Sequence, residues 1–178
     1  MKKIINNFIK DVQKELDDEF DRSFEDKGFF GQKWPVRKLD NNKGSLMTVK
    51  SQGGLRDSIS SSIKRNNIVW SSSVPYASIH NQGGEITVSA QMKKFFWAMY
   101  YKTSGASGRG PVARRQRMST EAAQWKAMAL KKVGSKIKIP QRQFIGDHPQ
   151  VRKSIEKVFK EDTIPEIEVY ITSQFKQK

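Results

Sequence analysis

The chain has 178 residues, 36% of them hydrophobic, and carries 33 Lys and Arg against 18 Asp and Glu, a formal charge of +15. That length suits one domain spanning 1–178 with room for an arm, and the low apolar fraction points to surface lying in loops or against other subunits. The absence of cysteine excludes disulfides, thiolate zinc sites and cysteine nucleophiles. With no stretch near the ~20 apolar residues of a membrane span and no apolar leader run, a soluble, unexported chain is expected.

Residues 4–26 read as an amphipathic helix. Ile5, Phe8, Val12, Leu16, Phe20 and Phe24 share one face, and charged residues fill the other, with Gly28 as the stop. The acidic run Asp17-Asp18-Glu19 with Asp21 offers a second use, against basic surface of a neighbouring subunit. In Phe29 to Pro35 the proline holds Trp34 extended, and the aromatics fold back on the helix. Asp40 to Gly44 is a polar turn cluster, and Leu46 to Val49 a short strand. Gly53-Gly54 breaks the chain before a hairpin of Ile59–Lys64 and Ile68–Ser72 around Arg65-Asn66-Asn67.

A short helix, Ala77 to Asn81, ends at Gly83-Gly84, and Ile86 and Val88 begin a strand. An arm at about 90–134 follows, a helical hairpin by its patterning. Ser89 caps its first helix, from Ala90 to about Lys102, and Ser119 its second, from Thr120 to Val133, ended by Gly134. Phe95, Phe96 and Trp97 read as core of that hairpin rather than as base-stacking platforms. Lys136 to Ile139 alternates as a strand that Pro140 ends. A helix runs from Asp147 or Pro149 to about Lys160, and Ile167, Val169 and Ile171 alternate as a last strand opened by Pro165. The sum is an α+β fold, with the N-terminal and other helices packed on an antiparallel or mixed sheet and a basic helical hairpin inserted.

Residues for chemistry are sparse. The two histidines, His80 and His148, cannot build a three-histidine metal site, and neither lies in a His-Glu-x-x-His pattern. His80 is expected to fix the helix-to-strand bend by hydrogen bonding, and His148 to satisfy free donors at a helix start. Gly105, Gly108 and Gly110 lack the Gly-Lys-Ser/Thr of a phosphate loop, and the serines at 58 and 60–62 lack a nucleophile elbow. No catalytic residue, metal ligand or cofactor site is nominated, and an enzyme is not expected.

The charge is concentrated instead. Between Lys93 and Arg142 the only acid is Glu121, while Lys93, Lys94, Arg109, Arg114, Arg115, Arg117, Lys131 and Lys132 are candidates for contact with DNA or a protein partner. Sliding contact with a DNA backbone and docking on acidic faces of neighbouring subunits are the two functional readings, docking being preferred. A solvated basic face is the plain alternative.

Two segments carry a resemblance. One is Tyr76-Ala77-Ser78-Ile79-His80-Asn81-Gln82-Gly83-Gly84, the other Pro140-Gln141-Arg142-Gln143-Phe144-Ile145-Gly146. Together with Trp34-Pro35 and Gly53 to Ile59 they resemble the hallmark stretches of the phage virion morphogenesis, or tail completion, family; the arm between them departs from its bare pattern. The resemblance implies a structural virion protein that completes the tail or joins it to the head at the neck. It further implies an oligomeric ring of copies of the chain, a hexamer by analogy with tail symmetry, touching neck, connector and tail proteins. Assembly would occur in the host cytoplasm. By the same resemblance Tyr76, His80, Gly83, Gly84, Pro140, Arg142, Phe144 and Gly146 shape the body. The alternative is a stand-alone basic DNA-binding protein without enzymatic activity.

Overall fold

The structure, a computed structural model, describes residues 1–36, 54–104 and 120–176. The polar turn at 40–44, the strand expected at 46–49 and the Ser119 cap lie outside them. The fold is α+β, mostly helical, with three separate two-stranded antiparallel sheets among the described residues. Contacts divide the chain into two compact units, one of described residues 1–35, 54–82 and 141–176, the other of 36, 83–104 and 120–140.

In the first unit, α1 (Lys2–Asp26) forms where apolar residues recur every three to four positions. Val12, Leu16, Phe20 and Phe24 are buried as expected, but Ile5 is exposed and Ile4 takes its place. The helix ends at Asp26 as expected, but the residue that turns the chain out of it is Lys27 rather than Gly28. Lys27 is left-handed at φ 49°, its N–H bonded to the Ser23 carbonyl, and Gly28 already opens β1 (Gly28–Phe29). β1 turns through Phe30 and Gly31 into β2 (Gln32–Lys33). Phe30 holds φ 43°, an uncommon conformation for an aromatic residue, and its ring stacks on His148 at 4.8 Å.

The next hairpin pairs β3 (Ile59–Lys64) with β4 (Asn67–Ser72). Its turn is Arg65-Asn66, both at positive φ, so Asn67 belongs to the strand. Trp70 meets Phe20 edge-on at 5.3 Å, and the Asp17 carboxylate accepts hydrogen bonds from Trp70 Nε1 and Ser61 Oγ, each at 2.6 Å. Asp17, part of the acidic run, thus has its partners inside this unit.

Arg56, in a single 3-10 turn (Arg56–Ser58), adds to that pattern. It donates to Asp21 and to Glu25, the latter at 2.8 Å, with its own side chain only 8% exposed. The hydrogen bond to Asp21 is the main cause that holds the guanidinium above its ordinary pKa, against its burial. Arg56→Met is expected to cost only about 1 kcal/mol, because both carboxylates are half exposed and regain water. A urea midpoint that falls at unchanged slope checks this.

Two apolar clusters hold this unit together. Val12, Leu16, Phe20 and Phe29 meet Val158 of a later helix, and Phe24, Leu55 and Phe144 form the second cluster with Trp34 and Tyr76 at its margin. A short α2 (Ala77–Gln82) completes the middle of this unit.

The second unit pairs β5 (Gly84–Thr87) with a strand, Lys136–Ile139, that closes the helical hairpin. Val88 extends the pairing, donating to the Ser135 carbonyl and accepting from the Gly134 N–H, and is 1% exposed. Between the strands, α3 (Ala90–Ser104) packs on α4 (Thr120–Ala129). Ser89 Oγ caps α3 through the Met92 N–H at 3.1 Å. α4 ends at Ala129, earlier than the expected Val133, so Val133 lies beyond the helix and is exposed, as is Leu130. Phe96 is buried against Trp125, whereas Phe95, also expected in the core, touches Trp125 only by its edge and is exposed.

The strand closing that hairpin is β6. After it, back in the first unit, α5 (Pro149–Val158) begins at His148, whose Nδ1 accepts from the Gln150 N–H as expected. The last strand is a correction. Residues Ile164–Lys176 are a helix, α6, continuous with α5 through a π-helical turn, Phe159–Thr163. Pro165 has no N–H to give, and its ring would crowd the carbonyl four residues back. The wide turn just before it, in which the Ile164 N–H bonds the Phe159 carbonyl, lets the helix continue past the proline.

Candidate functional site

Of the residues that the sequence singles out, Tyr76, His80, Arg142, Phe144 and Gly146 fall in the first unit, and Gly83, Gly84, Pro140 and the basic hairpin in the second. In the first unit the two motif segments are tied together. The Arg142 N–H donates to the His80 carbonyl at 2.8 Å. Asn81 Oδ1 accepts from the backbone N–H groups of Phe144 and Ile145, at 2.8 and 3.1 Å, and its Nδ2 donates to the Ile145 carbonyl at 2.9 Å. Trp34 Nε1 donates to the Gln143 carbonyl at 2.7 Å, and the Arg142 guanidinium to the Pro35 carbonyl at 3.1 Å. Phe144 is thereby seated on Phe24, 5.1 Å between ring centres.

Asn81 was not among the expected structural residues, yet its side chain joins segments 63 and 64 residues apart. An amide offers an acceptor and a donor on one short stem, which suits a backbone strand carrying both groups. His80 works differently from the expectation. Its carbonyl makes the tie to Arg142, while ring Nδ1 is buried without a hydrogen-bond partner among the described residues. Tyr76 meets the His80 ring edge-on at 5.9 Å. Burial first, and the Arg142 charge second, lower the pKa of this imidazole.

The sign follows. The unfolded chain binds the His80 proton more readily than the folded one, so stability is full above the ordinary value of 6.5 and falls as pH drops below it. Between that value and about pH 5, where most carboxylates stay charged, His80→Gln is expected to show a flatter decline in melting temperature than the parent chain. Parallel declines would contradict this.

The glycines act through the backbone. Gly83 and Gly84, at φ 72° and 146°, turn the chain from α2 into β5. Gly146 sits at φ 148°, where an added Cβ would come 2.6 Å from Gln143 Nε2. That amide is the free end of a flexible side chain, so backbone strain dominates, and Gly146→Ala is expected to cost about 1–3 kcal/mol in a thermal melt. Pro140 follows β6 in the second unit.

The basic hairpin lies in the second unit. Lys94 and Lys132 are exposed and Lys93 and Lys131 half-buried, while Arg109, Arg114, Arg115 and Arg117 lie outside the described residues. Lys126 Nζ sits over the Tyr100 ring, 5.9 Å from its centre. Lys136 pairs with Glu85 at 2.8 Å across the β5–β6 sheet, both side chains well exposed. Sequence between Glu121 and Asp147 holds no acid at all. Among the described residues, no three His, Asp or Glu side chains are grouped to hold a metal ion, and no helix is long and apolar enough to cross a membrane.

A sequence profile of the phage virion morphogenesis family matches residues 5–162. No curated protein and no solved structure matches the chain.

Proposed function

The chain belongs to the phage virion morphogenesis family, and from that premise we propose that it completes the tail of a tailed phage or joins it to the head at the neck. It acts as a homo-oligomeric ring held by non-covalent contacts with its own copies and with adjoining neck, connector and tail proteins. The observation that carries this reading is the family match across residues 5–162, within which both motif segments lie. Surface character supports it. Val169, Phe175, Leu130 and Val133 are exposed, and an isolated chain gains by covering such side chains.

The basic hairpin serves docking on acidic protein faces. A neck component holds its neighbours and lets DNA pass, whereas tight phosphate contact retains the DNA. The rival, a stand-alone basic DNA-binding protein, differs in one measurable respect. Light scattering of the purified chain across a salt series, with and without duplex DNA, is expected to read a ring of fixed mass that neither needs DNA nor dissolves at salt that strips non-specific DNA binding. A monomer that binds DNA tightly at low salt supports the rival instead.

A further inference from the structure

The family match stops at residue 162, before α6 begins, and α6 is the most exposed apolar element of its unit. One side of α6, with Val169 and Tyr170, borders Met1 and Ile4 at the start of α1, where Asn7 also donates to Glu166. A different stripe, spaced at 164, 168, 171 and 175, carries Ile164, Glu168, Ile171 and Phe175, all exposed, with Phe175 at 76% and Ile171 at 46%. From Glu161 to Phe175 there are four exposed acids, Glu161, Asp162, Glu166 and Glu168, and no Lys or Arg. In a chain of charge +15 this segment stands out as acidic and apolar together.

The complementary surface is on the same chain. Just past α4, Leu130 is 63% and Val133 58% exposed, with Lys131 and Lys132 between them and no acid until Asp147. We propose that α6 of one copy docks on the Leu130–Val133 corner of the basic hairpin of a neighbouring copy, apolar stripe to apolar corner and acids to lysines. Two different patches of one chain that fit each other make a head-to-tail contact, and head-to-tail contacts form a ring when the rotation from copy to copy closes. The contact also lowers the self-repulsion of a strongly basic chain, because each junction sets an acidic segment against lysines. This inference rests on the ring reading above and specifies its junction.

The natural lack of cysteine makes the test clean. Phe175→Cys and Leu130→Cys chains, both at exposed positions, are mixed and treated with a short bismaleimide. The expected product is a covalent dimer in the mixture and none from either variant alone. Dimers from Phe175→Cys alone, an intramolecular link in the double variant, or no link in a mixture that light scattering shows to be oligomeric each overturn the proposal and leave the ring reading standing. A parent chain that is monomeric overturns both. Charge reversal gives the second arm. Glu161→Lys with Glu168→Lys, or Lys131→Glu with Lys132→Glu, is expected to raise the concentration for half-assembly about tenfold or more, and all four together to restore it. Reversals without effect on assembly contradict the junction.

Discussion

Replacing Phe24 with alanine is expected to lower stability by about 3–5 kcal/mol, the largest single effect in the chain. Phe24 is 1% exposed at the centre of a cluster with Leu55 and Phe144, which are 0% and 3% exposed. Its ring meets Trp34 edge-on at 5.6 Å and Phe144 at 5.1 Å, so truncation removes aromatic pairing as well as buried area. The neighbours come from the chain before Pro35, the residue that precedes the 3-10 turn and the second motif segment, and cannot all relax into one cavity. For a chain of this size the loss corresponds to a fall in melting temperature of roughly 10 °C. Phe24→Leu, which keeps most of the volume, is expected to lose well under half as much. Equal losses would show that the site does not depend on packing.

Asn81→Ala is expected to cost about 3 kcal/mol, from three hydrogen bonds worth about 1 kcal/mol each. The backbone groups left behind at Phe144 and Ile145 are partly enclosed, and Phe144 is the residue that seats the second motif in the core. Asn81→Asp separates the contributions. It keeps the acceptor for both N–H groups but sets an oxygen against the Ile145 carbonyl. Its loss is expected to be smaller than that of alanine and to shrink as the carboxyl gains a proton at low pH. The denaturant midpoints of the two variants, compared at pH 7 and near pH 4, check this directly.

These two sites show what could be read from the chain and what could not. The α1 face was legible because a 25-residue helix repeats its apolar spacing many times, and one misplaced position, Ile5 for Ile4, does not disturb the rest. The β3–β4 hairpin was legible because Asn tolerates positive φ at its turn, though the turn proved one residue shorter. In α6 two patterns coincide. Ile167, Val169 and Ile171 alternate as a strand would, while Ile164, Ile167, Ile171 and Phe175 keep helical spacing. Pro165 tipped the reading toward a strand start, and only the π turn before it shows how a helix absorbs it. The length of the segment, free of Gly, Pro, Asn and Asp from Glu166 to Lys176, is the signal that favours a helix.

Pairing over long distances was not legible. The strands of the second unit, β5 and β6, are separated by the whole helical hairpin, and nothing local states that Gly84 lies opposite Ile139. The role of Asn81 is hidden for the same reason, since its partners are distant backbone atoms rather than side chains with a recognisable type. The histidine beside it drew attention through its chemistry, yet it is the His80 carbonyl that ties the motif segments together.

The central claim is that this chain works by fitting against copies of itself and its neighbours within a tailed particle. The most direct test images purified particles with a label on this chain and counts it by quantitative mass spectrometry. The account predicts a small fixed copy number per particle, confined to the junction of head and tail. Particles that are complete and infectious yet contain none of it would contradict the account.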